Sequence, residues 1–405
     1  METPWHYKFS TRAQTMTSSM IRELLKLTEE PDIISFAGGL PAPEIFPIEA
    51  FQKAAQNVLA NHGQKALQYG ATEGIQPLRQ LIAEKFCPPG MNISADNVLI
   101  TSGSQQALDL LGMIFVNQGD FILVESPTYL GALQAWNPYG VQYISVESDD
   151  NGMDTSDLER CLRLGPKLIY ALPNFQNPMG VTMSMERREQ LIKLADQYGV
   201  PIIEDDPYGQ LRFEGDHLTP LTVLDQKMRQ GKDFSDGNVI YLSTFSKTLT
   251  PGLRIAWVIA PDIVIDKLVM AKQAADLHTT TFNQYIAYEV AKDGFLEKHI
   301  AKIVEVYRER RNIMLEAFDE CMPQGVSWTH PDGGLFLWIK LPEYIDSIKV
   351  FKDAVEQKVA FVPGQSFYVD GTGKNTMRIN FSNSTPKQII EGVHRISNSI
   401  RKHMK

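Results

Sequence analysis

Cysteine is scarce in this chain: Cys87, Cys161 and Cys321 are the three it has in 405 residues. They are odd in number and far apart, so neither a disulfide framework nor a zinc site is indicated, and a reducing compartment fits. The eight histidines are not paired at metal-ligand spacing, so no metal is expected. No apolar run approaches the length of a membrane span. Positive charge is in deficit, 39 Lys and Arg against 48 Asp and Glu, a net −9. With no long basic run, that balance argues against nucleic acid or an anionic membrane as partner, while a few placed arginines could still hold a small anion. Met1 to Thr17 mixes charges with short apolar pieces and does not read as a secretory signal. GxGxxG is missing, and Gly371-Thr372-Gly373-Lys374-Asn375 lacks the upstream Gly and the Ser/Thr of a P-loop. These absences leave a cytoplasmic enzyme as the working class.

What is present is an ordinary globular balance, 43% hydrophobic and 21% charged, in a chain too long for one small core. Short apolar runs read as core strands: Val98–Thr101, Phe121–Val124, Val141–Val146, Leu168–Leu172, Val200–Ile203, Val239–Leu242 and Arg254–Ile259. Helical stretches such as Leu108–Val116 and Met185–Tyr198 lie between several of them. The alternation predicts an α/β domain built on a mainly parallel seven-stranded sheet flanked by helices. Too few residues separate the last two strands for a crossover, so that pair should be antiparallel. Beyond about residue 262 the character changes. Long helices are expected over Ile263–Asp276 and Phe282–Phe318. Then come strand candidates at Gly334–Ile339, Val359–Val362 and Met377–Phe381, and a last helix over Lys387–Lys402, together a small α+β domain. Ser18–Leu27 reads as a short amphipathic helix behind a serine cap. The expected division is an N-terminal segment 1–47 packing with the small domain, a large domain 48–300 and a small domain 301–405.

Several stretches could carry chemistry. In Ser243-Thr244-Phe245-Ser246-Lys247-Thr248, the lysine follows a core strand, where partial desolvation would lower its pKa and free the amine for a Schiff base with a carbonyl. The hydroxyls of Thr244 and Ser246, with Arg254 nearby, would suit an anionic phosphate; a surface lysine in a Ser/Thr-rich loop is the alternative. Ser102-Gly103-Ser104-Gln105 turns a strand into a helix, whose N-terminus favours a phosphate, though Gly and Ser also serve as plain caps. Glu204-Asp205-Asp206 puts three carboxylates at the C-terminal end of a core strand, where open α/β sheets bind ligands. A cation, a metal or an exposed acidic loop would each explain them. The amides of Pro173-Asn174-Phe175-Gln176-Asn177-Pro178-Met179-Gly180 lie past another strand. Gly38-Gly39 makes a turn or a close backbone approach. Arg378, inside an apolar strand, needs an anion, either a buried acid or a carboxylate ligand.

Taken in order, Ser35-Phe36-Ala37-Gly38-Gly39-Leu40-Pro41, Gln68-Tyr69-Gly70, Ser102–Gln106, Asn177-Pro178-Met179-Gly180, Glu204–Tyr208, Ser246-Lys247 with Arg254, Gly333-Gly334-Leu335-Phe336 and Arg378 resemble the pyridoxal-phosphate-dependent aminotransferases of fold type I, classes I and II. The resemblance is nearest to 2-aminoadipate and kynurenine/2-aminoadipate aminotransferases and runs over nearly the whole chain. It implies pyridoxal 5'-phosphate as cofactor and a ping-pong exchange between an L-amino acid and a 2-oxo acid. Lys247 would hold the cofactor's aldehyde and then move the proton at the substrate Cα; Asp205 would keep the pyridine nitrogen protonated. Asn177 and Tyr208 would bond the phenolic oxygen, and Tyr129 would stack on the ring. Gly103, Ser104, Gln105, Thr244, Ser246 and Arg254 would hold the phosphate. Tyr69 would serve the other subunit's site, which implies a homodimer with active sites at the interface. Arg378 would grip the substrate α-carboxylate, flanked by Gly39 and Asn177. Arg22, on a mobile N-terminal helix, would meet a distal carboxylate such as that of 2-aminoadipate or glutamate, or else pair with a neighbouring acid; aromatic and aliphatic substrates and 2-oxoglutarate are expected as well.

Three other readings compete. A C–S β-lyase would keep the cofactor and change the reaction. A transcription regulator with an aminotransferase-like domain would need a DNA-binding module before residue 35, for which there is no room. A metal enzyme would use Asp205 and Asp206.

Overall fold

The computed structural model describes residues 5–16, 32–87, 91, 93–229 and 234–404. The expected helix Ser18–Leu27, Arg22 included, lies outside the described residues.

The central sheet holds β1 (Val98–Thr101), β2 (Phe121–Ser126), β3 (Gln142–Asp149), β4 (Gly152–Met153), β5 (Leu168–Ala171), β6 (Ile202–Asp205), β7 (Val239–Thr244) and β8 (Ala256–Ile259). Their spatial order is β1-β8-β7-β6-β5-β2-β3-β4. The run β7-β6-β5-β2-β3 is parallel, whereas β8 is antiparallel to both β7 and β1. All seven strands read from apolar runs are there. The eighth, β4, is a two-residue return antiparallel to β3, too short to leave a hydrophobic pattern.

Alternate residues of the central strands enter different cores. Leu168, Tyr170 and Ile203 pack in one cluster, and Ile169, Ala171 and Ile202 in another on the opposite face. Burying both faces is what makes these strands continuous apolar runs, each large side chain contributing on the order of 2 kcal/mol of transfer free energy.

A second sheet contains β9 (Ser327–Trp328), β10 (Phe336–Lys340), β11 (Val362–Pro363) and β12 (Thr376–Asn380), in the order β9-β10-β12-β11 and antiparallel throughout. The pair Ile34–Ser35 runs parallel to Val359–Ala360. Phe36 O then accepts from Asn380 N at 2.9 Å, which lays residues 36–39 alongside the strand that carries Arg378. The expected helix Phe282–Phe318 is two helices, Thr281–Ala291 and Phe295–Cys321. Gly294, at φ +76°, makes the break, in a left-handed conformation that side chains disfavour. On the second of them, arginines clamp loops together: Arg308 donates to Phe213 O at 2.8 Å, Arg310 to Ser382 O and Glu44, and Arg311 to Pro331 O at 2.7 Å. The C-terminal ends of β2, β5, β6 and β7 all point toward one edge, and the loops leaving them build the site.

Candidate active site

Lys247 sits in the turn that follows β7. Leu249 N and Thr250 N both close on Phe245 O, at 2.9 and 3.0 Å, so the lysine is carried on a tight hydrogen-bonded loop. The residue is half-buried, but its ammonium is withdrawn from solvent and donates to Gly39 O at 2.7 Å. Desolvation first, then the charges of Arg378 and Arg254, bring its pKa down to about 8. No carboxylate among the described residues offsets them. Gly39 is small for a reason: a Cβ there would stand 3.1 Å from the Phe336 ring.

Asp205 ends β6. Its Oδ2 accepts from the Tyr170 hydroxyl at 2.8 Å, and its Oδ1 is buried without a partner. Burial pushes the carboxyl up to about 7, against the lowering effect of the Tyr170 bond. Its neighbours point the other way, since successive strand residues alternate faces. Glu204 accepts from Leu221 N at 2.9 Å and Thr222 N at 2.8 Å, capping the helix Leu221–Met228. Asp206 accepts from Asn174 Nδ2, Gly209 N and the Tyr241 hydroxyl, at 2.9, 2.9 and 3.0 Å. The acidic triplet therefore divides into one carboxylate with a free oxygen and two that knit loops. Among the described residues no group of three or more His, Cys, Asp or Glu side chains is arranged to hold a metal.

Arg378, in the middle of β12, is buried between the Phe336 and Phe367 rings, 4.3 and 5.0 Å from their centroids. Nη1 donates to Asn177 Oδ1 at 2.8 Å and Nη2 to Ala37 O at 2.7 Å, while Nε has no partner. Desolvation lowers its pKa to about 10. No carboxylate among the described residues pairs with it.

At the turn into the helix Ser104–Phe115, Gly103 has φ +85°, and a Cβ there would fall inside the Arg254 guanidinium. Arg254 itself is left-handed, φ 55°, with Nη1 reaching Pro251 O at 3.3 Å. Ser104 Oγ is buried and unpartnered. The Gln105 amide is spent on Gly131 O at 2.7 Å. Thr244 Oγ1 accepts from Ser246 N at 3.0 Å and lies within bonding distance of Ile255 O and Ser246 Oγ; it shapes the lysine loop. Behind this corner Ser102 Oγ reaches Asp276 at 3.2 Å, and buried Lys272 pairs with Asp276 at 2.8 Å and with Gln106 Oε1 at 2.8 Å. Tyr129, just before the helix Leu130–Trp136, folds its ring over Gly131. Its pKa is raised by burial and by Asp205 and lowered by Arg378 and Arg254, so it stands among all three. Tyr208 is buried, raised by desolvation, edge-on to Phe336 and in hydrogen-bond reach of Asn177. Tyr69 is 78% exposed and packs edge-on against His278.

The structure thus brings Lys247, Asp205, Tyr208, Asn177, Tyr129, Arg378, Arg254, Gly39 and the Gly103–Ser104 turn to one edge of the sheet. A family model for aminotransferase class I and II matches residues 32–396. The chain belongs to the class I and II aminotransferases. This aminotransferase is 47% identical to aromatic-amino-acid aminotransferase 1 of Thermococcus litoralis over 407 residues, 98% of this chain and 95% of the relative. A kynurenine aminotransferase of Pyrococcus horikoshii, solved with PMP, superposes with a TM-score of 0.92 at 44% identity, covering 99% of both chains. The α-aminoadipate aminotransferase of Thermus thermophilus, solved with N-(5'-phosphopyridoxyl)-L-leucine, gives 0.92 at 39% identity, again with 99% of both chains covered. The fold is that of the fold type I enzymes, and pyridoxal 5'-phosphate is the cofactor. Amino acids and 2-oxo acids are the substrates; these three relatives are aminotransferases and lend the lyase reading no support. No helix of the described residues is long and apolar enough to cross a membrane.

Sequence reasoning missed Tyr170 and Phe367 as parts of the aminotransferase site, and Glu125 beside it, and gave Phe336 no role beyond its place in the Gly333–Phe336 motif. Glu125 is buried, accepts from Leu172 N at 3.0 Å, and is pushed up to about 8 by desolvation. A polar atom inside an otherwise apolar strand, as in Leu168-Ile169-Tyr170-Ala171, is the signal that could have flagged Tyr170.

Proposed function

We propose that this aminotransferase moves the amino group of 2-aminoadipate, glutamate and aromatic or aliphatic L-amino acids to 2-oxo acids such as 2-oxoglutarate. The names of its relatives support that range, and Arg378 is the observation that carries it. A buried guanidinium held between two aromatic rings with no counter-ion is costly unless a carboxylate arrives. Two of its five N–H groups are used by Ala37 O and Asn177 Oδ1, leaving three for a bidentate grip on an α-carboxylate.

The residues suit the cofactor at each end. Asp205 Oδ1 and Ser104 Oγ are buried polar atoms without partners, one fitted to a ring N–H and the other to a phosphate oxygen. Gly103 N, Ser246 and Arg254 would complete the phosphate grip beside the helix N-terminus. Gln105 and Thr244 would support it through their loops. Tyr129 would cover the ring, and Asn177 and Tyr208 would bond its oxygen. Bound there, pyridoxal 5'-phosphate supplies an electron sink for charge at the substrate Cα. Lys247, neutral above about pH 8, would take the proton from the substrate Cα and deliver it to the cofactor carbon that carried the aldehyde. The aromatic walls around Arg378 would keep water from the reacting atoms.

The same reading makes the protein a cytoplasmic homodimer, with Tyr69 of the partner subunit closing each site. It also divides the chain into 1–47, 48–300 and 301–405, with Arg22 of the first segment choosing among side chains; the sequence motif around Arg22 is its support. A panel of amino donors assayed against 2-oxoglutarate, following keto-acid formation, is the test. Pyruvate or ammonia released without any acceptor would overturn the transaminase reading. In the same assay Arg22→Ala should selectively lose glutamate and 2-aminoadipate; equal losses for leucine and phenylalanine would make Arg22 structural.

A further inference from the structure

Among the described residues, the Tyr170 hydroxyl is the one group hydrogen-bonded to the Asp205 carboxyl. Tyr170 lies fully buried in β5, one strand from Asp205, with its ring held edge-on by Trp136 at 5.2 Å. We propose that Tyr170 is a positioning residue for Asp205: by spending its only proton on Oδ2, it leaves Oδ1 as the free, charged oxygen that receives the ring N–H of the cofactor. This rests on the reading of Asp205 given above.

The geometry is one-sided. Asp205 has two oxygens in a buried setting, with Tyr170 bonded to Oδ2 at 2.8 Å and nothing on Oδ1. The other charged and titratable groups facing this carboxyl are of no help to its charge. Asp206 follows on its own strand and repels it. Tyr129 and Tyr208 stand beside it from neighbouring loops, and Glu125 stands beyond Tyr170 on β2. A buried carboxylate with an acidic neighbour tends to take up a proton, and a protonated Asp205 could no longer hold the ring nitrogen in its charged form. A hydroxyl hydrogen bond favours the anion, which shifts the carboxyl downward by on the order of one pH unit. Tyr170 would thereby set the acid limit at which the enzyme keeps its cofactor and turns over.

The test is titration of pyridoxal 5'-phosphate into apo-enzyme between about pH 6 and pH 9, for wild type, Tyr170→Phe, Asp205→Asn and the double variant, with thermal melting of each apo-protein. Tyr170→Phe keeps the ring and its packing. It should bind the cofactor about tenfold more weakly near pH 6.5, converge on wild type by about pH 9, and move the acid limb of kcat/KM up by about one unit. The double variant should match Asp205→Asn alone, because the two residues act through one contact. A Tyr170→Phe curve that coincides with wild type, or runs parallel to it at every pH, overturns the proposal. If Asp205→Asn itself binds like wild type, the reading of Asp205 falls, and the role of Tyr170 falls with it. Should Tyr170→Phe melt far below wild type, Tyr170→His, which keeps a ring with a donor, decides: recovery of the wild-type pH dependence supports positioning, and failure to recover it overturns it.

Discussion

The two faces of β6 carry carboxylates with opposite fates. Asp205, on the face that packs with Ile203 and Tyr170, has one hydrogen bond and an unsatisfied oxygen. Glu204 and Asp206, on the other face, have both oxygens bound by backbone N–H groups, an amide and a phenol. Burial alone does not mark a functional acid, since Glu204 is also pushed up to about 7 by desolvation. What separates them is satisfaction. A buried polar atom left unpaired costs about 1–3 kcal/mol, and a fold tolerates that where a ligand restores the bond.

That contrast can be broken or sharpened by substitution, beginning with Lys247, the largest expected effect in the site. Lys247→Ala should abolish the visible absorbance of bound cofactor and lower turnover by about 10⁴-fold or more, with no loss in apo-protein melting temperature because its desolvated ammonium has no counter-charge. Retained absorbance would remove Lys247 from the chemistry. Asp205→Ala should cost about 10³-fold in kcat/KM and little stability. Asp206→Ala should do the reverse, losing about 2–4 kcal/mol from its buried hydrogen bonds while the folded fraction keeps activity within about tenfold. Equal activity losses in the two would erase the distinction between the faces. Arg378→Met should raise KM for every amino-acid substrate by about 10²-fold, the worth of one charged bidentate pair; an effect confined to dicarboxylates would assign it to side-chain recognition. Smallest is the pH effect. A lysine amine titrating near 8 should load cofactor faster as pH rises through that value and level off above it. The rate should fall up to about tenfold per unit below it, and a pH-independent rate would contradict a depressed lysine.

The strands were legible because burial on both faces writes an uninterrupted apolar run, and β4 was not, because two residues write none. Lys247, Asp205 and Arg378 were visible as charged residues at the ends or inside of such runs. The split at Gly294 was hidden because a single glycine interrupts helical periodicity only weakly.

By itself the sequence determined the sheet, the antiparallel return of β8 and the kinds of group available at its edge, since hydrophobic periodicity and turn chemistry are local. Which carboxylate stays free, which hydroxyl is spent on the lysine loop, and that Tyr170 stands behind Asp205 were decided by tertiary structure alone. Those outcomes depend on which strand lies beside which, and the neighbours in question are 35 residues apart for Tyr170 and Asp205 and 201 for Asn177 and Arg378.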